Sequence, residues 1–535
     1  MHIPFLPYIA LIGIILALVM LATRVRLAYP IVLVLGGLAI SFTSAFSDIS
    51  ISPDLVFLIF LPPLLYEAAW QVSWKEFWKW RRVIFSFAFP IVILTSCVVA
   101  FVANALIPGF TLALGFLLGG IVSPPDAISA TTIMRKVNVP KVLVSIAEGE
   151  SLLNDASSLI VFRFALAAVL TGHFSLSAAT GSFFLVIILG VAIGLGVGLI
   201  FYAIHRWLPT TASIETVLTL LTPYCMYYAA EYFHFSGVLA VVSGGLFLSG
   251  KRATLLTYES RIQGVNVWNS LVFILNGLVF LLIGLQLPVI TKELGTISLG
   301  TAIGYGLIIS LVLIVARMAC AMGASLFTRM MSRFITVAEA NPGWRAPAVL
   351  GWAGMRGVVS LAAALSIPLL SETGEAFPQR NLILFITFIV ILVTLVLQGL
   401  SLPWLIRKLK PEDRSLAISE TEQERIIQMK LAKYSIQYLE EQPDASLRSN
   451  PYVRNLMERL RHDLRLFGQE QSREANEHLL PLASFQQTYL GLLEEQRRLL
   501  KKMNSHSEFD EELIRKYLGL IDLEELKLHG KLIEV

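Results

Sequence analysis

Ser123-Pro124-Pro125-Asp126 stands in the middle of an apolar run, residues 111–134, long enough to cross a membrane. Two successive prolines remove two backbone donors and clash with the turn before them, so a helix has to break here. Broken helices persist at membrane depth only where they line a cavity or lie buried in protein, and their freed carbonyls suit cations. A second run, 347–370, carries Gly351-Trp352-Ala353-Gly354-Met355-Arg356-Gly357, with three glycines and an arginine where an ordinary span carries leucine. A kink is expected there.

Outward from these two segments, about thirteen apolar stretches follow one another between residues 5 and 406. The composition agrees: 56% hydrophobic and only 15% charged residues exclude an ordinary soluble enzyme. The chain is therefore read as an all-α polytopic membrane protein, residues 1–409, followed by a cytosolic helical region, 410–535, in which charged residues crowd. That tail shows helical patches at 485–500 and 511–528, polar breaks at 444–450 and 504–509, and no catalytic or nucleotide motif. Loops after odd-numbered spans hold sixteen Lys and Arg, against two after even-numbered ones. By the positive-inside rule the N-terminus is outside and the C-terminus cytoplasmic, in a multi-pass protein of the cell membrane. The first span is not read as a cleaved signal, since no Lys or Arg precedes it.

The net charge of +4 follows from those loops and calls for no nucleic acid. Cys97, Cys225 and Cys320 lie far apart in apolar runs, so no disulfide framework, metal centre or bound cofactor is expected. The two interrupted spans are seven apart and so cross in opposite directions. That is the signature of two inverted six-helix repeats, spans 1–6 matching 8–13, with the discontinuous helices crossing near the midplane. Asp126, Asp155 and Arg356 are expected to converge there.

An ionisable group at the centre of a membrane helix costs about 2.5 to 3.5 kcal/mol, so each needs a partner or a function. They are few: Glu67, Asp126, Glu148, Glu150, Asp155, Arg163, Glu215, Glu231, Arg317 and Arg356. Glu148, Glu215 and Glu231 lie near span ends and are read as hydrated helix termini. Span 6 is the dense one, Glu148-Gly-Glu-Ser-Leu-Leu-Asn-Asp155. On a helix Ser151 stacks on Asp155 and Glu150 on Asn154, giving two adjacent polar ridges. Carboxylate, hydroxyl and carbonyl oxygens suit hard cations such as Na⁺ and Li⁺. Protons compete with such a cation for one buried carboxylate. An intramembrane aspartyl protease would need Gly-x-Gly-Asp, which neither Asp126 nor Asp155 has. A channel would want rings of carbonyls or charges along a pore.

Five strings, Phe60-Leu-Pro-Pro-Leu-Leu-Tyr-Glu-Ala68, Gly149-Glu-Ser-Leu-Leu-Asn-Asp155, Ser236-Gly-Val-Leu-Ala-Val-Val242, Asn276-Gly-Leu-Val-Phe-Leu-Leu-Ile-Gly284 and Gly354-Met-Arg-Gly357, resemble monovalent cation:proton antiporter family 1, the NhaP-type and animal sodium/proton exchangers. The resemblance implies a homodimer in the lipid bilayer whose core domain moves like an elevator against a fixed dimerisation domain. It implies Na⁺/H⁺ exchange, with Li⁺ as a further substrate and K⁺/H⁺ exchange as the closest alternative. Carried over, Asp155 resembles the ion-binding and proton-exchanging aspartate, Asn154 its neutral neighbour, Ser151 an oxygen ligand and Asp126 a second, conformation-setting carboxylate. Glu67 resembles the acid that reaches the ion through water, and Glu150 the partner of Arg356 in a buried salt bridge. The Asn-Asp pair implies electroneutral exchange. Where the family usually has Thr-Asp-Pro, this chain has Pro125-Asp126-Ala127, which leaves only backbone ligands such as the carbonyls of Val122 and Ser123.

Overall fold

The computed structural model describes residues 5–42, 56–137, 139–172, 176–292, 294, 297–334, 339, 343–370, 375–411, 420–441, 450–468, 475–504, 514 and 517–525. Residues 43–46 and 51–55 of two expected spans lie outside that set, as do 444–449, 505–509 and the ends of the 511–528 patch. Among the described residues all regular structure is helical, apart from one isolated bridge between Leu370 and Ala376. The chain divides into two compact units, Met1–Ser415 and Leu416–Val535.

The first unit begins with α1 (Phe5–Val25), α2 (Tyr29–Ile40) and α3 (Leu61–Gln71), the last entered through a π-helical turn, Val56–Phe60. Next come α4 (Trp74–Leu106), α5 (Leu112–Val122), α6 (Ala127–Lys136) and α7 (Lys141–Thr171). They are followed by α8 (Leu176–Trp207), α9 (Ala212–Tyr232), α10 (Gly237–Leu255), α11 (Tyr258–Leu285) and the short α12 (Leu287–Lys292). The unit closes with α13 (Leu299–Met331), α14 (Arg345–Trp352), α15 (Val358–Leu365) and α16 (Arg380–Leu409). Helix starts follow the sequence chemistry: Thr111, Asp126, Thr211, Ser236, Thr257 and Ser298 each cap the next helix through a side-chain oxygen.

Among the described residues six helices are long and apolar enough to cross a membrane: α4, α7, the Gly181–Trp207 part of α8, α11, α13 and α16. At about 1.5 Å per residue each exceeds a ~30 Å hydrocarbon core, which makes this a multi-pass membrane protein. The run 111–134 is two helices, α5 and α6, separated at Ser123–Asp126. The run 347–370 is also fully interrupted, between α14 and α15, where only a kink was expected. Two long helices carry π-helical turns that the apolar pattern does not reveal, Phe87–Ile91 in α4 and Thr394–Gln398 in α16.

The helices pack in two groups, α1–α3 with α8–α11 and α4–α7 with α13–α16. The second unit holds α17 (Glu420–Glu440), α18 (Pro451–Gly468) and α19 (Ala475–Asn504). There α17 packs on α18 with an Arg461–Glu440 ion pair at 3.1 Å.

Candidate ion-binding site

The two helix breaks hold each other. Because α5 stops at Val122, its last carbonyls lack intrahelical donors, and they lie at the negative end of the helix dipole. Arg356, 0% exposed, supplies both the donors and the positive charge. Its Nε donates to Val122 O at 2.9 Å, Nη2 to Ser123 O at 3.4 Å, and Nη1 to Gly354 O. In return the Asp126 N–H donates to Met355 O at 2.7 Å. The Asp126 carboxylate caps α6, accepting from Ile128 N and Ser129 Oγ, both at 3.0 Å. A Cβ on Gly357 would lie 2.5 Å from Asp126 Oδ2, so only glycine lets α15 begin against that carboxylate.

Helix α7 runs past this crossing with its polar ridge turned inward. Asn154 Nδ2 donates to Pro125 O at 2.9 Å, which leaves its buried Oδ1 without a partner. Ser157 donates to Ala88 O on the π-helical turn of α4 (2.5 Å), and Ser158 to Gly120 O on α5 (2.6 Å). Asp155 is 7% exposed, and among the described residues its carboxylate has no hydrogen-bond donor or cationic partner.

A cavity of about 260 Å³ lies between the two helix groups. One wall carries Asp126, Ser151 and Asp155, from the α5–α6 break and α7, with Gly357 and Ser360 from the second break. The other carries Glu67 on α3 and Val272 and Asn276 on α11. At one end are the Arg135–Glu148 ion pair, 2.6 Å, and Glu67, which accepts from Gln71. Eight residues beyond Asp155 on α7, Arg163 donates to both oxygens of Glu231 at 2.8 and 3.0 Å, joining the two groups. Glu231 also accepts from Gly237 N at 3.2 Å, at the start of α10. This arrangement offers carboxylate and hydroxyl oxygens, ligands a hard monovalent cation takes.

Asp155, Asp126, Ser151 and Glu67 therefore share one cavity, whereas Asn154 sits behind it, turned to Pro125. Three expectations are corrected. Glu150 does not pair with Arg356; it pairs with Arg317 of α13, Nη1 and Nη2 donating to its two oxygens at 2.7 and 2.9 Å. The reason is positional: Arg356 is committed to the carbonyls of α5, and Gly354 leaves room for Arg317, whose side chain any Cβ there would strike. The carbonyls of Val122 and Ser123 accept from the Arg356 guanidinium and do not line the cavity. Glu215 is not a hydrated helix end: it is buried and accepts from Thr210 Oγ1 at 2.8 Å, whereas Glu231 does stand, part-exposed, in the last turn of α9, where it also holds Arg163. Arg317 was visible in the sequence as a lone charge in an apolar run. Asn276 opens one of the five strings quoted above, but as a neutral amide it carried no charge to single it out.

A multi-pass chain with an acidic cavity at the crossing of two interrupted helices is built as an ion transporter. It belongs to the sodium/hydrogen exchanger family: residues 9–408 match the family described as "Sodium/hydrogen exchanger, transmembrane". An uncharacterized Na⁺/H⁺ exchanger of Mycobacterium bovis is 29% identical, the match covering 97% of this chain and 95% of the relative. A sodium, potassium, lithium and rubidium/H⁺ antiporter of Bacillus pumilus is 32% identical over 76% of this chain and 61% of its own length. A low-affinity Na⁺/H⁺ antiporter of Synechocystis is 31% identical over 72% of this chain and 70% of its own. The sodium proton antiporter MjNhaP1 of Methanocaldococcus jannaschii shares the fold, with a TM-score of 0.57 at 18% identity over 75% of this chain and 97% of that one.

Proposed function

We propose that the protein exchanges Na⁺, and also Li⁺, for H⁺ across the cell membrane by alternating access, with Asp155 as the exchanging group. One observation carries this reading: a buried carboxylate that has no donor among the described residues, in a cavity between two helix groups. Asp126 is held by a backbone N–H and a hydroxyl. Asp155 has only what arrives from the cavity to neutralise it, either a proton or a cation. Competition for one carboxylate then couples the two fluxes. Ser151 and water supply further oxygens, Asp126 sets the field and the conformation, and Glu67 reaches the ion through water.

Charge balance favours a one-for-one cycle. Glu150 is compensated by Arg317, and Asn154 cannot titrate. On the membrane topology read from loop charge, the Arg135–Glu148 end faces the cytoplasm and the Arg163–Glu231 pair closes the opposite side. In this reading thirteen spans form two inverted repeats, the protein is a homodimer, residues 1–409 carry transport, and 410–535 form a cytosolic helical region. The group holding α7 moves against the other, bringing Asp155 to each side in turn.

The test is a cation series in everted vesicles with a pH dye. Half-maximal dequenching at lower Na⁺ and Li⁺ than K⁺ is expected. K⁺ as the preferred ion would replace the proposal with K⁺/H⁺ exchange, and no dequenching by any alkali cation would overturn it.

A further inference from the structure

Asn276 stands on α11, in the helix group that does not contain Asp155. It is 4% exposed, its Oδ1 is shut off from solvent, and its carboxamide has no hydrogen-bond partner among the described residues. A buried amide left unpaired is costly, so a position that keeps one calls for a ligand. The direction of the side chain is set by its helix. Trp268, Val272 and Asn276 follow at four-residue intervals and so share one face of α11. Trp268 rests on the Tyr66 ring of α3 with centroids 5.4 Å apart and donates to Thr219 Oγ1 at 3.1 Å, while Val272 and Asn276 line the cavity. The face ends at the space that Asp155, Ser151 and Asp126 border from the other side.

We propose that Asn276 is a further cation-ligating residue, its carboxamide turning about the last side-chain bond to bring the buried, unpartnered oxygen to the cavity wall facing Asp155. The inference rests on the exchange function proposed above. A carbonyl-type oxygen is a good ligand for a hard alkali cation and carries no charge, so it strengthens cation binding without altering a one-for-one balance. A bound proton needs no such ligand, so Asn276 tilts the competition at Asp155 toward the cation. Because it belongs to the group that stays behind when α7 moves, it acts only in this orientation of the site.

The experiment uses the full chain in proteoliposomes and reads apparent KM and maximal rate for Na⁺, Li⁺ and K⁺ at fixed pH. Asn276→Leu keeps the branched outline, at a somewhat larger volume, and removes the oxygen. It should raise the apparent KM for Na⁺ about tenfold, the effect of losing one good polar contact, with the maximal rate held within about twofold. Asn276→Ser, which retains an oxygen, should fall between. Should the Leu protein fail to assemble, Asn276→Ala carries the same expectation, since it only removes atoms. An unchanged KM in an assembled variant, or a loss of maximal rate at unchanged KM, would mean that Asn276 only packs helices and would overturn the inference. A wild type that exchanges no alkali cation overturns the proposed function, and this inference with it. Wild-type exchange with unaltered KM in the variants overturns this inference alone.

Discussion

Arg317 grips both oxygens of Glu150, at 2.7 and 2.9 Å, with the two side chains 3% and 2% exposed. The pair ties α13 to α7 beside the crossing of the broken helices, and its fork geometry is one that lysine cannot reproduce. Removing one partner strands a buried charge, so Glu150→Gln and Arg317→Leu should each lower stability by about 3 to 5 kcal/mol. The double variant Glu150→Gln/Arg317→Leu should lose much less than the sum. Thermal melting in detergent measures both. A double-mutant cycle between Glu150 and Arg356 should show weaker coupling; the reverse ranking would contradict the assignment.

Gly357→Ala should press a methyl group onto the Asp126 carboxylate and push it off Ile128 N and Ser129 Oγ. An overpacking cost of about 1 to 3 kcal/mol is expected, together with a fall in exchange rate. Gly300 in α13 has nothing within 4 Å of the same added atom. Gly300→Ala should be neutral or stabilising by up to about 1 kcal/mol, which makes it the matched control.

The two variants at residues 150 and 317 also mark where sequence reasoning stopped. The break at Ser123–Asp126 was legible because the loss of two N–H groups is a local fact about proline. The inward ridge of α7 was legible because helical period stacks Ser151 on Asp155. Which arginine meets Glu150 was not legible: Arg317 and Arg356 each stand as single charges in apolar runs. The choice turns on Gly354 clearing a path and on the carbonyls of α5 claiming Arg356. The π-helical turns escaped for a similar reason. Pro90 hints at one of them, but the role of Ala88 O as acceptor for Ser157, and of Thr394 Oγ1 as acceptor for Arg356 N, appears only in three dimensions.

Competition for one carboxylate fixes a pH dependence. Where the proton-bound form dominates, each unit of rising pH frees the site about tenfold more, so the apparent KM for Na⁺ should fall about tenfold per unit and then level off. The maximal rate at saturating Na⁺ should change far less. Initial rates across a pH series in proteoliposomes check this; a KM independent of pH would mean that proton and cation use different groups.

A one-for-one cycle moves no net charge. Na⁺ uptake should therefore be the same under valinomycin-set potentials of either sign, once transport of K⁺ by the protein itself has been excluded. A cycle carrying one net charge would gain or lose about 2.3 kcal/mol per 100 mV. Dependence on the sign of the potential would mean that Asp126 or Glu67 also carries protons.

The most direct measurement of the central claim is radioactive Na⁺ uptake driven by a pH gradient into proteoliposomes holding the wild type or Asp155→Asn. The substitution keeps the shape and removes a buried charge that has no donor among the described residues, so melting should not fall. Uptake by the variant should drop to the level of empty liposomes, because the amide can release no proton and offers the cation no charge. A well-folded Asp155→Asn protein that takes up Na⁺ at the wild-type rate would contradict the account.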